Sequence, residues 1–183
     1  PTHLVLLDIS EFAIYSLLQE LNKTHPSLEI TPLIGSVQDQ NFVCKVLENF
    51  AIDTVYHAAA YKHVPLMEKN VMQCISNNVF GTRNMVLAAI AAQVKYFILV
   101  STDKAVNPTN FMGASKRLAE LVCKDLASKQ SITRFAIVRF GNVLGSSGSV
   151  VPLFKQQIAA GGPVTVTHEK VIRYFMTIPE AAQ

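Results

Sequence analysis

The chain has 183 residues, 50% of them hydrophobic and 16% charged, with a formal net charge of +3. That length and apolar content argue for one domain with a buried sheet and against a disordered chain. Its 16 Lys and Arg are scattered, with no basic run of the kind that binds nucleic acid or a membrane surface.

In chain order, residues 3–7 form the first strand candidate, ending on Asp8, and residues 11–21 carry a helical pattern. Glu29–Ile34 is the second strand candidate, ending on Gly35 and Ser36, and residues 39–50 form a helix with Asp39 as its cap. Thr54–His57 reads as a strand running into Ala58, Ala59 and Ala60, with a helix expected at 77–93. Residues 96–101 form a strand that delivers Thr102, Asp103 and Lys104, followed by a helix at 113–129. Arg134–Phe140 is the last strand candidate, ending at Gly141 and Asn142. An apolar helix is expected from Val151, a break at Gly161-Gly162-Pro163, and a final helix from Pro179.

Most of these strands are continuous apolar runs, as expected where both faces of a parallel sheet are covered. The β-α-β-α order implies an α/β fold with a doubly wound parallel sheet and right-handed crossovers. Ligands in such sheets lie beyond the carboxyl ends of the strands, and the residues just past those ends are small or polar here. After Asn142 the texture changes to a glycine- and serine-rich stretch. The expected division is therefore 1–142, a partial dinucleotide-binding domain, and 143–183, the start of a substrate-binding part. The chain enters a strand almost at once and stops inside a helix pattern, so a fragment is expected.

Three cysteines, Cys44, Cys74 and Cys123, stand far apart with no CxxC pair. They read as reduced thiols of a cytoplasmic protein, with no metal site. No apolar run reaches the roughly 18 residues of a membrane-spanning helix.

An acid at the end of the second strand of a Rossmann unit hydrogen-bonds the adenosine ribose. With a strand preceding residue 1, Asp8 takes that place, and the absence of a nearby arginine favours NAD over NADP. Asp8 or Ser10 would equally well cap the helix that follows. No G-x-G-x-x-G loop occurs anywhere in the sequence, so the expected sheet lacks its first strand and its glycine-rich loop. Ala58, Ala59 and Ala60 suit a dinucleotide lying against the backbone, and suit a close strand–helix crossing just as well.

The most informative stretch is STDKAVNPTNFMGASK, residues 101–116. A strand brings Thr102, Asp103 and Lys104 to the ligand edge, and a proline-containing loop leads to a helix with Met112 and Lys116 four residues apart on one face. The alternative is a polar turn followed by a solvated helix lysine.

STDKAVNP followed by MGASKRLAE resembles the nucleotide-sugar 4,6-dehydratases of capsule and O-antigen synthesis, within the extended short-chain dehydrogenases. HAAAYKHVPLME at 57–68, NNVFGT at 77–82, RFGNVLGSSGSVVPLF at 139–154 and RYFMTIPEA at 173–181 agree with it. The resemblance implies NAD-mediated oxidation at C4 of a hexose, loss of water across C5 and C6, and return of hydride to C6. It implies Asp103 as acid, Lys104 as base, Thr102 as the holder of the C4 oxygen, and Lys116 on the nicotinamide ribose. Met112 stands where the family's usual tyrosine acts, and a thioether neither gives nor takes a proton. That narrows the resemblance to a methionine-bearing branch of longer, membrane-anchored members acting on UDP-N-acetylglucosamine.

The C4 proton is then left to Lys104 or a bound water, with Tyr61 a lesser substitute. By the same resemblance Asn142 contacts the sugar diphosphate, or else it stabilises its turn, and Asn78 supports the active-site backbone, or else it caps the helix it opens. Lys62, just past the alanines, is a further candidate for the diphosphate, and Arg173 either pairs with a phosphate oxygen or is a surface arginine. His63 reads as a structural or surface residue. Ser36 stands where many relatives have an acid beside the adenine. A UDP-sugar substrate and a homo-oligomer are expected, with no nucleic acid partner and a cytoplasmic site at the inner face of the bacterial membrane. Two rivals remain: a nucleotide-sugar 4-epimerase, which has no use for the Asp103–Lys104 pair, and a non-catalytic dinucleotide-sensing module.

Overall fold

The computed structural model describes residues 1–145, 150–166, 168–170, 172 and 174–182. It divides into two compact units, residues 1–138 and 139–183.

The first unit alternates strands and helices. β1 (His3–Asp8) pairs in parallel with β2 (Glu29–Ile34), His3 opposite Glu29 and Asp8 opposite Ile34. α1 (Glu11–Thr24) lies between them in sequence and packs on both. β3 (Thr54–His57) pairs in parallel with β4 (Tyr96–Thr102), and β5 (Arg134–Phe140) completes the order β3-β4-β5. The sheet is thus in two pieces, β1-β2 and β3-β4-β5. In a Rossmann sheet the first strand lies between the second and the fourth. The break falls there, and the fold is a doubly wound, Rossmann-like sheet whose first strand and glycine-rich loop are not in this chain.

The helices start where short polar side chains meet free backbone amides. Ser10 caps α1 by accepting from Ala13 N at 3.2 Å, and Asp39 caps α2 (Gln40–Asn49) by accepting from Phe42 N at 3.0 Å. Asn110 does the same for α6 (Phe111–Ala127), accepting from Gly113 N at 2.8 Å.

The helix expected at 77–93 begins earlier. α3 (Val64–Met67) is a single turn, and α4 (Val71–Ile75) runs through a π-helical turn, Ser76–Gly81, into α5 (Thr82–Ala91). Asn78 lies inside that wide turn and caps nothing. Wide turns of this kind recur at functional sites.

α2, α5 and α6 cover one face of β3-β4. Val43, Val86, Ala89, Phe97, Leu99 and Cys123 form the centre of that core. On β3 the cover is one-sided: Val55 and His57 are buried while Tyr56 is 74% exposed. Two covered faces were expected from the apolar runs; β3 has one, while on β4 the outer-face Ile98 and Val100 are half-buried. No helix among the described residues is long and apolar enough to cross a membrane.

In the second unit, β6 (Asn142–Val143) pairs in parallel with β7 (Phe175–Met176), with α7 (Val150–Ala159) between them and α8 (Ile178–Ala182) after them.

Candidate active site at the end of strand β4

β4 ends on Thr102, and the chain turns at once into a single 3-10 turn, Asp103–Ala105. That turn brings three adjacent side chains together. The Thr102 hydroxyl donates to Asp103 Oδ1 at 2.9 Å, and Lys104 Nζ donates to the same oxygen at 3.0 Å. Partial burial opposes the charge on Asp103. The hydrogen bonds from Lys104 and Thr102 and the Lys104 charge outweigh it, and hold the carboxyl below its ordinary pKa. The resting pair is an ion pair.

α6 supplies Lys116. The residue is buried, 5% exposed, and its Nζ donates to Val100 O at 2.7 Å, two residues before Thr102. It is not a solvated helix lysine. Burial pulls its pKa down to about 8, against the raising influence of the Glu120 charge.

Met112 is also buried, packed with Met67 and Cys74 and with Val64 against them. Its thioether serves that packing. One residue on, a Cβ at Gly113 would lie 2.5 Å from Lys104 O. Only glycine lets the first turn of α6 come this close to the Asp103–Lys104 turn.

β3 approaches from the other side through His57, which is fully enclosed. Its Nε2 lies 2.9 Å from Thr82 Oγ1, and the Thr82 hydroxyl itself donates to Asn78 O at 2.7 Å. Nε2 must therefore be the donor, which sets the tautomer. Burial first, then the Lys116 charge, lowers the His57 pKa to about 3, so the ring is neutral at ordinary pH.

Beyond His57, Ala58 is exposed and Ala59 and Ala60 are half-buried. Asn78 clamps the next residue: Oδ1 accepts from Tyr61 N at 2.8 Å, and Nδ2 donates to Tyr61 O at 3.0 Å. The same Nδ2 donates to Ser115 Oγ at 2.9 Å, and that hydroxyl donates to Met112 O at 2.7 Å. A buried polar chain thus ties the loop after β3 to the first turn of α6. Lys62 and His63 are exposed, with His63 preceding α3.

Other expected residues are placed as follows. Asp8, exposed at the end of β1, accepts from Ser10 N at 2.8 Å; Ser10, not Asp8, caps α1. Ser36 accepts from Gln38 N at 3.1 Å. Asn142, in the second unit, donates to Tyr174 O at 3.2 Å. Arg173 lies outside the described residues.

Thr102, Asp103, Lys104 and Lys116 come together with the β3 end. Gly113, Ser115 and Glu120 carry no sequence signal of their own; the MGASKRLAE motif contains all three, but only packing shows that they are buried rather than solvated.

The fold defines a Rossmann-like α/β protein with a cluster of polar side chains at the end of β4. All residues, 1–183, match the model of a family described as polysaccharide biosynthesis protein, and the chain belongs to that family. It is 53% identical to the capsular polysaccharide biosynthesis protein CapD of Staphylococcus aureus, over 100% of this chain and 31% of that protein. It is 38% identical to a UDP-N-acetylglucosamine 4,6-dehydratase (inverting) of Campylobacter jejuni, over 82% of this chain and 45% of that one. A UDP-glucose 4-epimerase of Rickettsia canadensis is 36% identical, over 97% of this chain and 53% of that one.

Among solved structures, Pen from Bacillus thuringiensis superposes with a TM-score of 0.91 at 39% identity, covering 99% of this chain and 55% of that chain. DesIV of Streptomyces venezuelae, a dTDP-glucose 4,6-dehydratase solved as a double mutant with NAD and DAU bound, shares the fold. Its TM-score is 0.83 at 21% identity, over 96% of this chain and 59% of that chain. The chain therefore spans about a third to a half of the length of these curated relatives.

Proposed function

We propose that this chain carries the catalytic residues of a nucleotide-sugar 4,6-dehydratase, acting on UDP-N-acetylglucosamine in capsule or O-antigen synthesis. The observation that carries the reading is the Asp103–Lys104 pair at 3.0 Å beside Thr102. Dehydration needs an acid for the C6 hydroxyl and a base for the C5 hydrogen, and the pair holds one mobile proton between its two members. With that proton on Lys104 they form the resting ion pair. With it on Asp103 they are a carboxylic acid and a neutral amine, the two reagents required. A bound sugar that strips water from the pair favours the uncharged arrangement.

The residues present fit a nicotinamide dinucleotide. Asp8 has a carboxylate oxygen unused by helix capping, Ala58, Ala59 and Ala60 leave the end of β3 uncluttered, and Lys116 lies below the Thr102 strand end. NAD would supply the hydride acceptor at C4 and the donor at C6; no arginine beside Asp8 argues for NADP. Thr102 holds the C4 oxygen and passes its proton to bound water, a role open to it once its hydroxyl turns from Asp103. Met112 takes no part, because a packed thioether has no proton to move. Lys62, Asn142 and Arg173 remain the proposed contacts to the sugar diphosphate.

The similarity to 4-epimerases favours one other reading. An epimerase on this scaffold would leave Asp103 and Lys104 without work. Incubating the full-length protein with NAD and UDP-N-acetylglucosamine separates the two, dehydration by the mass of the lost water and epimerisation, which leaves the mass unchanged, by the proton NMR spectrum of the sugar. A 4-keto-6-deoxy product, lost in an Asp103→Asn, Lys104→Ala double variant, supports the dehydratase. UDP-N-acetylgalactosamine as the product overturns it.

A further inference from the structure

Behind the site lies a carboxylate with no exposure to solvent, Glu120 on α6. A charge in such a place is costly unless its oxygens are met. Here Oε1 accepts from Ser101 Oγ at 2.6 Å, and Oε2 accepts from Arg117 Nη1 at 3.0 Å. One helical turn earlier, Lys116 holds Val100 O at 2.7 Å. α6 therefore grips β4 at two consecutive residues, Val100 and Ser101, directly before Thr102. A hydrophobic pair would hold helix to strand as firmly. The acid adds something packing lacks: a fixed negative charge four residues from a buried amine.

We infer that Glu120 is a positioning residue of this site, fixing the strand end that presents Thr102 and keeping Lys116 a buried cation available to an electron-rich ligand. The inference rests on the reading of Lys116 as a ligand-gripping residue, but its test does not. Burial discharges a lysine, and the Glu120 charge is the influence that opposes it. The other groups around Lys116 do not supply that influence. His57, on β3, is neutral. Asp103 and Lys104, on the turn packed against α6, neutralise one another. Arg117 is a cation, and α5 offers only exposed Arg83. The π-helical turn has no titratable side chain, α4 only the thiol of Cys74, and β4 only Tyr96 at its far end.

The test is the titration of Lys116 in the full-length protein, read by NMR with 13Cε-labelled lysine and assigned by Lys116→Arg. In Glu120→Gln, which keeps an acceptor for Ser101 but removes the charge, the midpoint should fall by about one unit or more. An unchanged midpoint overturns the inference. Ser101→Ala removes the hydrogen bond and keeps the charge, so its midpoint should stay at the wild-type value; a fall as large as in Glu120→Gln overturns the inference. If Glu120→Gln does not fold, Arg117→Gln decides: freed of its competing cation, Glu120 should raise the Lys116 midpoint, and no rise overturns the inference. A wild-type protein without dehydratase activity would leave these shifts untouched, so the two readings fail separately.

Discussion

Lys104 Nζ and the Thr102 hydroxyl share one acceptor, Asp103 Oδ1, at 3.0 and 2.9 Å. Three consecutive residues on a strand end thus form a closed hydrogen-bonded group. Asp103→Asn keeps its shape and loses its acidity. In the full-length enzyme it should lower kcat by about 100- to 10,000-fold with little change in KM. Steady-state kinetics with UDP-N-acetylglucosamine checks this, with circular dichroism to establish folding.

Gly113→Ala should damage the same group from a distance. The added Cβ would meet the backbone oxygen of Lys104 at 2.5 Å, with no flexible side chain to give way, so either α6 or the Asp103–Ala105 turn must move. The expected cost is about 1–3 kcal/mol in denaturant unfolding. Activity should fall by far more than stability alone accounts for.

Asn78 should prove structural. Its amide, itself buried, bonds both backbone groups of Tyr61 and the Ser115 hydroxyl. Asn78→Ala would leave several of these groups unmet, at about 1–3 kcal/mol each. Loss of cooperative thermal unfolding, or a fall in Tm larger than for any exposed-residue variant, is the expected result.

His57 makes the fold acid-sensitive. Its native pKa of about 3 lies below the ordinary 6.5, so the unfolded chain binds a proton that the folded one refuses. The stability is fully present above pH 6.5 and is lost as pH falls toward 3, by an amount on the order of 4 kcal/mol. Urea midpoints measured from pH 7 down to pH 4 should fall for the wild type. The fall should be shallower in His57→Gln, which retains a donor for Thr82.

Met112 offers a converse test. Met112→Leu conserves volume among Met67, Cys74 and Val64, and should cost less than about 1.5 kcal/mol with activity retained. Met112→Tyr overfills that cluster and should destabilise the protein by about 1–3 kcal/mol without raising turnover. A faster Met112→Tyr enzyme would show that the position faces substrate.

Much of this was legible in the chain itself. Period and composition determine elements: apolar runs such as Phe97–Val100 within β4, and caps such as Ser10 and Asp39, act through neighbours a few residues away. The strand-end rule then located Thr102, Asp103 and Lys104, because a parallel sheet sends all its strands to one edge. The missing glycine-rich loop was also readable, and the break between β1 and β3 is its structural counterpart.

Tertiary packing decided the rest, since burial and partnership depend on residues distant in sequence. Whether Lys116 is solvated or enclosed depends on β3 and β4, fourteen or more residues away from it in the chain. Met112 is a packed residue because Met67 and Cys74 come to meet it. The charge on Glu120 matters only because Ser101 and Arg117 close over it and water is excluded. A sequence names the groups that can ionise; the dielectric around them, which sets what they do, exists only in the fold.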